Sequence, residues 1–278
     1  MKIKSILGTA FVALCTMACS EKEDATVADI SGKYDGYTLA SCSYFQNSCT
    51  ANETITILEN SDGTANITYN SQTYGDFTIS SAQMTEDAGV YTLKGSGQIQ
   101  MKDMGGNISS YNCTLTALIK SNKEATIKLE VPAVMGGLTI EFLTGEAPAN
   151  LLLAGTYKGY SDADCNYFKD SYTDNESFKI IANDDEKGTI SLSFESTTWG
   201  EFNVESIVPI KNGDEYIFEG SSKVLMGMGE SKKEYDFTMS GKISSDKEDY
   251  SVVFNIPAVM GGMTLTLLPG TSPIIEEQ

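Results

Sequence analysis

The chain has 278 residues, 19 basic and 38 acidic, with no histidine and a formal net charge of −19. That balance excludes nucleic acid as a partner, because phosphate would be repelled rather than neutralised. The lack of histidine removes the commonest general base and most transition-metal sites.

Taken in chain order, Lys2 and Lys4 precede an apolar run from Ile6 to Met17. It is too short for a permanent membrane span and has the form of a secretory signal. The run ends Thr16-Met17-Ala18-Cys19, which resembles a bacterial lipobox and implies cleavage before Cys19 and acylation of its thiol. Ser20-Glu21-Lys22-Glu23-Asp24 follows and resembles the surface-export signal of Bacteroidota-type lipoproteins. The expected organisation begins with a signal at residues 1–18 and a tether at 19–29. The expected address is the outer membrane, facing outward, with the acyl chains at Cys19 as the membrane contact.

The rest of the chain is written twice. Pro132-Ala133-Val134-Met135-Gly136-Gly137 recurs letter for letter as Pro257-Ala258-Val259-Met260-Gly261-Gly262, so a whole domain is duplicated. Gly32-Lys33-Tyr34-Asp35-Gly36-Tyr37 opens the first copy and Gly155-Thr156-Tyr157-Lys158-Gly159-Tyr160 the second. Within each copy the apolar period is two. Ile55-Ile57, Ala65-Ile67-Tyr69, Phe77-Ile79, Tyr91-Leu93, Cys113-Leu115-Ala117-Ile119, Ile127-Leu129-Val131 and Leu138-Ile140-Phe142 alternate with polar residues. Turn clusters such as Asn60-Ser61-Asp62-Gly63 separate these runs, which reads as about eight antiparallel strands per copy, enough to close a barrel.

The Gly-x-Tyr opening, the eight meandering strands and the lipoprotein signal together resemble the calycin-like β-barrel domain of Bacteroidota-type lipoproteins. The resemblance implies an all-β fold of two tandem eight-stranded antiparallel up-and-down barrels, at 30–145 and 153–270. It implies no ligand, since this fold serves many.

Inward alternation gives each barrel an interior of large side chains, with Phe178, Phe194, Phe202, Phe218, Phe237 and Phe254 adding bulk in the second copy. The expectation is a mostly filled core rather than a deep pocket. Four cysteines remain once Cys15 is discarded and Cys19 acylated, and four thiols allow three pairings. A Cys42–Cys49 staple is the first choice. Tyr172 stands where a partner for Cys165 would be, which leaves Cys113 or Cys165 free and buried.

The candidate contact residues lie at the strand ends. Tyr44 and Phe45, matched by Tyr167 and Phe168, sit in the first connection, placed either to meet a ligand or to plug one barrel mouth. Tyr74 is matched by Trp199, the only tryptophan, read as rim contact or as packing across the barrel end. Met101, Met104, Met226 and Met228 fall in Gly-rich segments and read as fillers. Asp162-x-Asp164-x-Asn166 opens like a calcium loop, but Tyr167 and Thr173 occupy the places of its glycine and glutamate, which excludes an EF-hand. No metal, cofactor or catalytic residue is assigned. The expected function is a non-catalytic surface binding or interaction module working through loops and barrel rims, its partner a small molecule, glycan or protein. The alternatives are a lipocalin-type carrier of a small apolar ligand inside a barrel, and a spacer without a ligand.

Overall fold

The computed structural model describes residues 29–103, 105–227 and 232–273. The signal at 1–18, Cys19, nearly all of the tether, Met104 and Met228 lie outside the described residues.

The first copy is built of β1 (Gly32–Ser41), β2 (Ser48–Glu59), β3 (Thr64–Ser71), β4 (Gly75–Asp87), β5 (Val90–Lys102), β6 (Ile108–Lys120), β7 (Ala125–Val131) and β8 (Leu138–Thr144). Each strand pairs antiparallel with its neighbour, and β1 pairs with β8, which closes the barrel. The first tyrosine and the second glycine of the opening motif make two separate contributions. Tyr34 is buried and donates its hydroxyl to the Ile30 carbonyl at 2.5 Å, so Ile30, itself buried, stoppers one end. At Gly36 a Cβ would overlap the Leu143 carbonyl on β8, so only glycine lets the closing strands meet.

A short helix, α1 (Ala149–Leu153), joins the copies. The second copy comprises β9 (Gly155–Asp164), β10 (Ser171–Ala182), β11 (Ile190–Ser196), β12 (Gly200–Ile207), β13 (Ile210–Asn212), β14 (Glu215–Met226), β15 (Lys233–Ser244), β16 (Tyr250–Ile256) and β17 (Met263–Pro269). The stopper recurs, with Tyr157 donating to the Leu153 carbonyl at 2.7 Å. Gly159 would overlap the Leu268 carbonyl in the way Gly36 would overlap Leu143.

The two sheets differ at one seam. In the first, Asp76↔Gln100, Phe77↔Ile99 and Thr78↔Gln98 carry the ladder between β4 and β5. In the second, β12 and β13 are the two edges of a nine-stranded sheet that rolls up without a hydrogen-bonded closure. Pro209 stands where the first copy has Met84 and has no N–H to give a ladder. It cuts the strand corresponding to β4 into β12 and the three-residue β13.

Both interiors are packed. All the large inward residues expected of the first copy are buried, and the six phenylalanines of the second are at most 2% exposed. Phe254 lies with its ring centroid 4.7 Å from Phe202, 5.7 Å from Phe237 and 6.0 Å from Phe194. Aromatic rings in these stacked, tilted and edge-on arrangements fill the space that a carrier would leave open.

Candidate functional site: the barrel mouths

The end opposite the Ile30 and Leu153 stoppers is closed by the β1–β2 connection, and its geometry is the same twice. The Cys42 N–H donates to the Phe45 carbonyl and Cys165 N–H to Phe168, both at 2.9 Å, making a tight turn. Inside that turn the Cys42 thiol accepts the Tyr44 N–H at 3.3 Å, and the Cys165 thiol accepts that of Tyr167 at 3.3 Å. Each cysteine thus acts as a buried cap for its own loop, much as an Asx side chain does.

This arrangement corrects the expected Cys42–Cys49 staple: all four described cysteines are free thiols. Register explains it, for Cys49 on β2 stands opposite Leu39 while Cys42 lies beyond the end of β1 and turns inward. Burial pushes the Cys49 thiol up to about 11, with Lys247 opposing slightly, and burial also raises Cys113.

The repeated Pro-Ala-Val-Met-Gly-Gly forms the turn that grips this loop. Met135, Gly136 and Gly137 all have positive φ (49°, 72° and 106°), as do Met260, Gly261 and Gly262 (50°, 75° and 106°). Three consecutive left-handed residues explain the paired glycines. The turn presents carbonyls to the loop: Ser43 N–H donates to Met135 O at 3.3 Å and Ser43 Oγ to Gly136 O at 3.3 Å. In the second copy Asn166 donates to Met260 O at 3.4 Å through its backbone N–H and to Gly261 O at 2.9 Å through Nδ2.

The four loop aromatics divide cleanly. Phe45 and Phe168 fold inward and pack on their cores, so the plug expectation holds for them. Tyr44 and Tyr167 point out, 82% and 80% exposed. Tyr74 is buried and Trp199 partly so, packed beside Phe168 with ring centroids 6.2 Å apart. Both therefore close the barrel end rather than form part of an exposed rim. Met101 and Met226 pack on the cores as fillers.

Two features of the second barrel lie apart from these shared ones. Asp162, Asp164 and Asp170 bring carboxylate oxygens within 4.8 Å of one another, and among the described residues they are the group able to hold a hard cation. Lys169 Nζ stands 3.3 Å from Asp164 Oδ2, and the Asp170 N–H donates to Asp164 Oδ1 at 2.9 Å. Asp162 Oδ1 is buried without a donor. Burial, then repulsion from Asp164 and Asp170, raises the Asp162 carboxyl, whereas the Asp170 N–H lowers that of Asp164. The first barrel has Leu39, Ser41 and Asn47 at these places. The other feature is an apolar groove outside the Pro209 break, where Val208, Ile210 and Ile217 are exposed beside Val253. Proline in a strand reading was the available sequence signal for it.

The fold and its mouth define a class: a tandem up-and-down β-barrel protein, each barrel stoppered at one end and plugged by a loop at the other. The model of the calycin-like β-barrel domain matches residues 30–143 and 153–267, and the chain belongs to that family. It is similar to the crystal structure of a "putative outer membrane protein" from Bacteroides fragilis NCTC 9343, at 25% identity and a TM-score of 0.67. The match covers 88% of this chain and 98% of the other. No curated protein matches the chain.

Proposed function

We propose that this protein is a non-catalytic, lipid-anchored module of the outer cell surface that binds its partner through the barrel mouths. The observation that carries the reading is the pair of exposed tyrosines, Tyr44 and Tyr167, held at the same point of two filled barrels. A loop needed only as a plug gains nothing from a large ring in water. The backbone beneath each ring is held by the cysteine cap and by the Met-Gly-Gly turn, so little backbone entropy is lost on contact. The likeness to an outer membrane protein of Bacteroides fragilis and the Thr16–Cys19 signal support the address. The filled interiors support rim binding over internal carriage.

The test has two arms. Native mass spectrometry of the protein lacking residues 1–19, after exposure to envelope and growth-medium extracts, should show a retained small molecule, glycan or protein. Tyr44→Ala combined with Tyr167→Ala should lose that partner while the melting temperature stays unchanged. Protease applied to intact cells should remove the barrels; a protein left whole would sink the surface address.

A further inference from the structure

The two barrels of one chain meet at a junction that the duplication writes a second time. Two clefts lie there, each lined by both copies and by α1. One, of about 790 Å³, has Asp35 and Asn52 from the first barrel and Lys211, Asp214 and Ser245 from the second. The other, of about 870 Å³, has Asn47 and Cys49 from the first barrel and Lys247 from the second. Lys247 lies near enough for its charge to act on the Cys49 thiol. Its Nζ also donates to the Ala154 carbonyl at 3.3 Å, beside the Leu153 stopper. The mouth connection of the first barrel thus meets the stopper end of the second.

Both halves of this junction recur. The receiving face of the first barrel, Asp35, Gly36, Asn52 and Gly145, is repeated on the second as Lys158, Gly159, Asn175 and Gly270, around a cleft of about 490 Å³ that no first-barrel residue lines. The docking turns of the second barrel are repeated on the first. Ser245 N–H donates to Asp214 O at 2.8 Å, and Ser121 N–H to Gly89 O at 3.2 Å. Lys247 and Lys123 share a left-handed backbone, φ 64° and 65°, and Lys123 Nζ donates to the Ser31 carbonyl at 2.9 Å.

Charge decides whether the two repeated halves fit each other. Asp35 and Lys211, opposite in sign, share the first cleft. Their counterparts are Lys158 and Glu86, each reversed in sign, so the pair stays attractive. At the other cleft Asn47 becomes Asp170 and Cys49 becomes Tyr172, whose hydroxyl donates to Asp170 at 3.2 Å. Lys123 of another copy, seated as Lys247 is, arrives beside the carboxylates of Asp162, Asp164 and Asp170. Matched charge at both clefts sets this contact apart, because a net charge of −19 repels copies that meet in any other way.

We propose that the second barrel receives the first barrel of another copy of this chain, head to tail, in the geometry of the junction within the chain. Such a contact is heterologous, so each pair keeps one free face of either kind and further copies add in a row. Tyr44 stays 82% exposed beside the junction within the chain, so the equivalent contact leaves Tyr167 in water. The proposal therefore stands or falls apart from the rim reading.

The experiment uses the protein lacking residues 1–19. Chains carrying Lys123→Cys are mixed with chains carrying Tyr172→Cys, both with Cys49→Ser, under mild oxidation. A disulfide joining unlike chains is expected; like–like pairs in its place, or no pair, overturn the proposal. Lys247→Cys in a chain that keeps Cys49 should close a disulfide within one chain, and its failure removes the template and the proposal with it. Sedimentation equilibrium should show association that rises with concentration. Lys158→Glu should weaken it about 3–10-fold, and mixing those chains with Glu86→Lys chains should restore it. Both positions are exposed, so each variant should melt as wild type does. Association untouched by Lys158→Glu overturns the assignment of this face.

Discussion

Phe254→Ala tests whether the second barrel is filled. Phe254 is 0% exposed, and its ring touches those of Phe202, Phe237 and Phe194 at centroid distances of 4.7, 5.7 and 6.0 Å. Burying such a ring contributes about 1.5–3 kcal/mol from transfer alone. The rigid strands of a barrel cannot collapse far onto the gap, so the cavity term brings the expected loss to about 3–5 kcal/mol. For a domain of this size that is a fall of ~10–20 °C in melting temperature. The single tryptophan, Trp199, lies at the mouth of the same barrel, so its fluorescence follows this barrel during thermal or urea unfolding. Tyr167→Ala, at an 80% exposed position of the same barrel, is the control and should leave the transition in place. A loss below about 1 kcal/mol in a folded Phe254→Ala variant would refute the filled interior. It would mean that the rings have room to rearrange, and a carrier would again become the better reading.

Three further outcomes follow from the same geometry. Gly36→Ala and Gly159→Ala place a methyl group on the Leu143 and Leu268 carbonyls, where backbone must move, and should each cost about 3 kcal/mol or more. Gly63→Ala, with nothing within 4 Å and φ of +79°, should cost only about 1 kcal/mol in urea unfolding. Burial pushes the Tyr34 and Tyr250 hydroxyls up to about 12. Folding therefore keeps protons that the unfolded chain releases near pH 10. Stability should be flat below that point, fall from pH 10 to 12, and fall less in Tyr34→Phe, by ~2–3 kcal/mol over the window. Asp162→Leu, which installs the first barrel's residue, removes a buried carboxylate oxygen without a donor and its repulsion with Asp164 and Asp170. Its melting temperature at pH 7 should exceed wild type. Because the Asp162 carboxyl is raised in the fold, the penalty on wild type eases as pH falls and the gap should close; a less stable variant at pH 7 would count against this account.

What the sequence made legible was whatever depends on alternation and on comparing the copies. Residues such as Ile57, Ile67 and Phe254 report their facing through period two alone, because a strand has only two sides. The stopper is half visible: Tyr34 and Tyr157 mark the opening strands, but their hydroxyls reach back four residues to the Ile30 and Leu153 carbonyls, a bond that strand alternation does not encode. Cys42 and Cys49 were misread for a related reason. Seven residues of separation suggest a staple, whereas the β1–β2 register sends Cys42 inward to cap its own turn. The acidic cluster is legible only in part, since Asp170 joins Asp162 and Asp164 across the connection between β9 and β10.

The polar group inside the first barrel, where Glu53 and Thr38 lie beside the Tyr69 hydroxyl, shows where such reading stops, and why the duplication still repays attention. Glu53 lies on the inward parity of β2, two residues before Ile55, yet a charged residue at a strand end reads as solvent-facing. Thr38 follows the register shift between Gly36 and Thr38, so simple alternation loses its place. Tyr69 reads as an apolar filler. Nothing in a single strand brings the three together; only closure of β1, β2 and β3 does. The pairwise differences between copies were nonetheless written in the chain, as Tyr69 against Phe194 and Tyr74 against Trp199. A phenol where the other barrel has a phenyl, beside a tyrosine where the other has an indole, exchanges one closed hydrogen bond for two open ones. That exchange conserves shape while changing polarity at matching interior positions.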